Sequence, residues 1–194
     1  MAVLWRQLRW QVAFLAGRLS SDRSSLDALI RLEDLPDGWF QNWEKRWRFG
    51  LTSTEELARR SRQAKLVGAT RCFELVGTGT WVMASAVPFV SVEDAQDWLE
   101  ISASQVLSSR DRDALAHAET EIAPPRAAGE HARAVLVNTD YESGPRRTHF
   151  FVAWREAQPM VFTLQIKTPT EYDVLDPMTM LIQLQRGRFL AAGR

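Results

Sequence analysis

The sequence predicts an α+β fold in which an antiparallel β-sheet is covered by helices and ends in a C-terminal three-strand meander with a closing helix. Three observations carry this. Residues 132 to 141, 147 to 156 and 159 to 167 are rich in branched and aromatic residues, and they are separated by Glu142-Ser143-Gly144-Pro145 and Ala157-Gln158-Pro159. Such short connections cannot make a parallel crossover, so the three runs form an antiparallel meander. Residues 69 to 76 and 80 to 87 flank Gly77-Thr78-Gly79, a glycine-rich connection suited to a hairpin. Helix-start signals lie between and after these strands, at Ser91 and at Asp176-Pro177.

In chain order, the first 19 residues hold three arginines and no acid, with Leu4, Leu8, Val12, Leu15 and Leu19 at helical spacing. They predict an amphipathic helix. Gln11 interrupts the apolar run, so a signal peptide is disfavoured, and the run is well short of the ~20 residues a bilayer span needs. Packing on its own domain is the first reading of this helix. A dimerising role comes second, and contact with a membrane surface is the least favoured.

Residues 24 to 30 begin a short helix or lead into a strand, and Pro36-Asp37-Gly38 closes them with a turn signature. The aromatic segment that follows, residues 39 to 49, is read as a strand, since Trp47-Arg48-Phe49 alternates before Gly50. Ser53 and Glu56 fit a capping box and Gly68 a helix end, so residues 54 to 67 should be helical. Arg59, Arg60, Arg62 and Lys65 then form a solvated face balanced by Glu55 and Glu56.

Ser91 caps a helix running to about residue 107, with Val92, Ala95, Leu99, Ser102 and Val106 on one face and Glu93, Asp97 and Glu100 on the other. Residues 108 to 131 read as a short helix or turn followed by a loop, broken by Pro124-Pro125. The final helix should end or fray at Gly187. No internal repeat and no linker interrupts the chain, so residues 1–194 are read as one domain.

Composition narrows the function. A chain of 194 residues with 45% apolar and 25% charged side chains is that of a folded globular protein. Twenty-four basic residues balance 24 acidic ones. Such a chain lacks the global field that gathers phosphate backbones, and nucleic acid is not an expected partner. Arginine outnumbers lysine 21 to 3, a bias that suggests a G+C-rich, bacterial genome. Cys72 is the single cysteine, so no intrachain disulfide forms, and its apolar neighbours make it a buried packing residue. A cytoplasmic location is consistent with all of this.

Motifs that would name a reaction are missing. There is no Gly-x-Ser-x-Gly elbow, Walker loop, paired Cys-x-x-Cys or His-Glu-x-x-His, and His117, His131 and His149 stand singly. His149, beside Phe150 and Phe151, reads as a structural histidine. Gly77-Thr78-Gly79 lacks the third glycine and following helix of a dinucleotide loop. Asp111-Arg112-Asp113 is a chance triplet. No catalytic residue, metal ligand or cofactor is assigned.

What stands out is aromatic. Trp39, Trp43 and Trp47 are four apart, a spacing that places all three indoles on one face of a helix or a regular strand. With Trp81, Trp154 and Phe162 they make the candidate binding set. Core, ligand pocket and protein interface are three open uses for them.

The turn Leu35-Pro36-Asp37-Gly38-Trp39, the helix start Ser91-Val92-Glu93-Asp94-Ala95 and the terminal meander with its closing helix resemble the PsbP/Mog1-type α/β/α sandwich. The resemblance spans about 150 residues in order of elements. It implies a non-catalytic binding or accessory module, although the secretion signal or lipobox cysteine of many bacterial members is not found. A helix-grip arrangement, with the last helix closing a curved sheet around an apolar ligand, is the alternative architecture.

Two functions follow as expectations. The first is an interaction module acting through a protein partner or self-association. The second is an apolar small-molecule binder with Trp81, Trp154 and Phe162 in its pocket wall. An enzyme whose catalytic groups meet only in space is the least favoured.

Overall fold

The computed structural model describes residues 25–48, 57, 59, 63–64, 66–108, 114–141, 146–156, 158–169 and 175–192. The expected N-terminal helix, the Ser53 capping box and the side chain of Trp47 lie outside them. Among the described residues, seven strands form one sheet: β1 (Trp39–Arg48), β2 (Val67–Leu75), β3 (Thr80–Pro88), β4 (Ala114–Ile122), β5 (Ala132–Tyr141), β6 (Arg147–Arg155) and β7 (Met160–Pro169). Their order is β1-β2-β3-β7-β6-β5-β4, with every neighbouring pair antiparallel. Two meanders, β1 to β3 and β4 to β7, therefore join through the β3–β7 ladder. Helix α1 (Val92–Ser108) connects them, and α2 (Leu175–Ala192) closes the chain.

The α+β class, the antiparallel sheet and the closing helix are as the sequence predicts. The C-terminal meander gains a fourth strand. Residues 114–122, expected as a helix or turn and loop, pair with β5 from Ala114↔Tyr141 to Ile122↔Ala134. Alanines and glutamates carry no strand signal of their own, and it is the waiting edge of β5 that makes them a strand.

Apolar layers cover both faces. On the first face, Phe73, Val82, Phe150, Val152, Trp154, Phe162 and Leu164 pack under α2 and under the segment holding Leu29 and Ile30. On the second, Val87, Phe151, Ala153 and Val161 pack with Phe89, Ala95, Trp98 and Leu99 of α1 and its approach, and with Leu57. This explains the unbroken apolar run of β6, since a central strand buried on both sides has no polar face to alternate with.

Helix α1 starts where expected, with the Asp94 amide donating to Ser91 Oγ at 3.0 Å. Its buried stripe is Ala95, Trp98, Leu99 and Ser102, whereas Val92 is exposed. Helix α2 runs past Gly187 to Ala192. A Cβ at Gly187 would meet nothing, so the glycine lies on the open side of the helix, and its neighbours pin that turn. Arg186 reaches Glu156 at 2.6 Å and the Ala127 carbonyl at 2.8 Å, and Arg188 reaches Glu33 and Asp34.

In the β2–β3 hairpin, Gly77 and Gly79 take φ of +75° and +66°, which only glycine adopts without strain. Cys72 is buried and free, and burial pushes its thiol up from the ordinary range, with Glu74 adding to the effect. Among the described residues no helix is long and apolar enough to cross a membrane.

Candidate ligand pocket

The spacing that unites Trp39, Trp43 and Trp47 in a regular strand fails because β1 is not regular. Gln41 pairs with Phe73 and Trp43 with Cys72, so Asn42 is an extra residue and the register shifts there. Trp39, opposite Leu75, therefore lies on the α2 face, while Trp43, opposite Cys72, lies on the other. The backbone of Trp47 pairs with Gly68.

The remaining members of the aromatic set are also divided. Trp154 and Phe162 are stacked at 5.6 Å in the α2-face core, 0% and 1% exposed. Trp81 lies on the opposite face, its ring 5.9 Å from His149, whose Nε2 is 3.1 Å from Gln165 Oε1. A common wall of Trp81, Trp154 and Phe162 does not exist, because alternate register positions send them to different sides of the sheet.

Trp39 lines a cavity. About 460 Å³ opens between the hairpin end of the sheet and the first half of α2. The floor is set by register: Trp39, Leu75, Thr80 and Thr168 form one row across β1, β2, β3 and β7, and Val82 and Ile166 form the next. Pro177, Met180 and Leu181 of α2 make the roof, and Leu35 and Pro36 the side. The interior is tightly held, with Val82, Ile166 and Thr168 of the floor and Leu181 of the roof all buried, while Met180 and Asp176 reach solvent at the mouth.

Among the described residues, polar groups in this cavity are few. Thr80 Oγ1 and Thr168 Oγ1 lie 2.7 Å apart, and Asp176 contributes the carboxylate at the rim. Apolar walls with a small number of placed polar groups are the usual make-up of a small-molecule site.

The side wall belongs to a strap, residues 29–36, fastened at three points. Gln185, buried in the core stripe of α2, accepts the Ile30 amide at 3.1 Å. Arg71 donates to the carbonyls of Leu29 and Ile30 at 3.2 Å each while pairing with Glu44. Arg188 grips Asp34 and Glu33. Burial by itself raises the Asp34 carboxyl, but hydrogen bonds from Arg188 and the Arg31 amide, with both guanidinium charges, hold it below the ordinary carboxylate range.

Sequence reading missed the threonine pair, the aliphatic floor and Trp98. The alternations Thr80-x-Val82 and Ile166-x-Thr168 were visible, but only the β3–β7 register brings them together.

No family model matches the chain, and no curated protein matches it. Among solved structures, the extracellular domain of PknH from Mycobacterium tuberculosis is similar in fold, with a TM-score of 0.56 over 88% of this chain and 95% of that one. At 8% sequence identity the likeness is one of fold alone.

Proposed function

We propose that this protein is a non-catalytic binding module that takes an apolar small molecule between the sheet and α2. One observation carries the reading: a cavity of about 460 Å³ with an aliphatic lining, one tryptophan and a paired hydroxyl floor. Its volume lies within the roughly 300–1,000 Å³ range of small-molecule sites. The kinship with PsbP/Mog1-type accessory proteins and the cytoplasmic location belong to the same proposal.

Native mass spectrometry of the full chain as purified, followed by titration with apolar small molecules, tests it. A retained adduct or saturable binding that is lost in Leu181→Trp, which fills the cavity, is the expected result. A flat titration across a varied panel, with no adduct, would overturn the reading.

A second reading, action through protein contacts or self-association, is favoured by Phe40 and Trp43. They are 40% and 41% exposed on the edge strand β1 and share the face opposite the cavity. Large exposed aromatics on one face are typical of interface centres. Weaker assembly of Trp43→Ala with unchanged folding would support it, and unchanged assembly would remove it.

A further inference from the structure

We infer that the cavity selects a neutral, hydroxyl-bearing apolar molecule and rejects the corresponding carboxylate. The inference rests on the pocket reading above and adds the chemistry of the ligand's polar head. Two threonine hydroxyls at the floor contain two hydrogens and four acceptor lone pairs. One hydrogen is committed between them, across the 2.7 Å Thr80–Thr168 contact. Among the described residues the two side chains make no other hydrogen bond. The pair therefore has one O–H and free lone pairs to offer a ligand, and an alcohol oxygen, which both accepts and donates, complements them.

An ionised head fits poorly at either end of the cavity. At the floor, Thr80 and Thr168 are 9% and 2% exposed, and among the described residues the cavity lining includes no lysine, arginine or histidine. Burying a carboxylate there would strip its hydration with at most one donor in return. At the mouth, the carboxylate of Asp176 repels a second anion. The N-terminal amides of α2 favour an anion in general, but Asp176 already occupies the first turn with a negative charge.

The test compares ligands of matched chain and different heads on the full-length protein: decane, 1-decanol and decanoate. Decanol should bind at least about tenfold more tightly than decanoate, the equivalent of one good buried hydrogen bond. Thr168→Val should lower decanol affinity by a similar factor and leave decane unchanged. Asp176→Asn, a substitution at an exposed position, should raise decanoate affinity alone. Equal or tighter binding of decanoate, or decanol affinity indifferent to Thr168→Val in a folded variant, overturns the head-group selection while the pocket stands. Failure of all three probes to bind overturns the pocket itself.

Discussion

Arg188 holds both carboxylate oxygens of Asp34, Nε to Oδ2 at 3.0 Å and Nη2 to Oδ1 at 2.7 Å, across 154 residues of sequence. A planar guanidinium matched to a carboxylate in this way fixes orientation as well as position. The pair joins the strap that walls the cavity to the helix that roofs it. The Asp34 side chain is 13% and the Arg188 side chain 28% exposed, so solvent screens the contact only in part.

Asp34→Asn should therefore cost roughly 1.5–3 kcal/mol at neutral pH, the range for hydrogen bonds to a charged partner. The pH dependence has a definite sign. Because the folded-state carboxyl is held below its ordinary value, its contribution is complete above about pH 4 and is lost as the pH falls through the depressed folded value. Urea unfolding at pH 7 and at pH 3 checks this. The wild type should lose more stability on acidification than Asp34→Asn, and equal losses would show that the pair is not linked to folding.

Gln185 sits in the apolar stripe of α2 formed by Met178, Leu181 and Ile182, and is 0% exposed. Its Oε1 receives the Ile30 amide, while its Nε2 is buried without a hydrogen-bond partner among the described residues. Gln185→Met keeps the volume and strands the Ile30 amide. The expected cost is about 1–3 kcal/mol, reduced by removal of the unpartnered Nε2. Hydrogen exchange gives the local readout: the Ile30 amide should be slow in the wild type and fast in the variant. Unchanged protection would mean that the strap is held without Gln185.

The strands other than β4, the capped start of α1 and the closing helix were legible in the sequence because their signals are local. Alternation, turn residues and a serine cap act over a few positions. The bulge at Asn42 was not legible, and it alone overturned the expectation that Trp39 and Trp43 share a face. Nor was β4, whose Ala116, Ala118, Glu119 and Glu121 become a strand only against β5. The cavity lay furthest from sequence reading. Trp39 was named, but Thr80 and Thr168 are 88 residues apart, and their meeting depends on β3 and β7 joining the two meanders.

Trp154 and Trp43 should respond oppositely to truncation. Trp154 is fully buried and stacked on Phe162, which itself meets Phe189 edge-on at 5.0 Å. Removing the indole leaves a hole in the main core, and Trp154→Ala should cost about 3–5 kcal/mol. Trp43→Ala, at an exposed position of the edge strand, should change stability by about 0.5 kcal/mol or less. Chemical denaturation of the two variants decides this, and a large loss at Trp43 would make that residue part of the core.

Deleting Asn42 tests what the bulge does for the sheet edge. Residues 39–41 pair with 75–73 and residues 43–48 with 72–67, so Asn42 is the one unmatched position between two regular ladders. Its removal joins those ladders without changing any partner or sending any side chain to a new face. The loss is an exposed hydrogen bond of 3.2 Å from Asn42 Nδ2 to Glu74, small in its effect on stability. The gain is a straighter edge. A bulge bends a strand and interrupts its row of unpaired amides and carbonyls, which is one way an edge avoids pairing with another chain. With Phe40 and Trp43 exposed on the same face of this edge, a continuous ladder presents both a hydrogen-bonding template and apolar surface. The deletion variant should unfold within about 1 kcal/mol of the wild type. In sedimentation velocity it should associate at lower concentration than the wild type. Association equal to the wild type in a folded variant would show that the bulge has no part in guarding the edge.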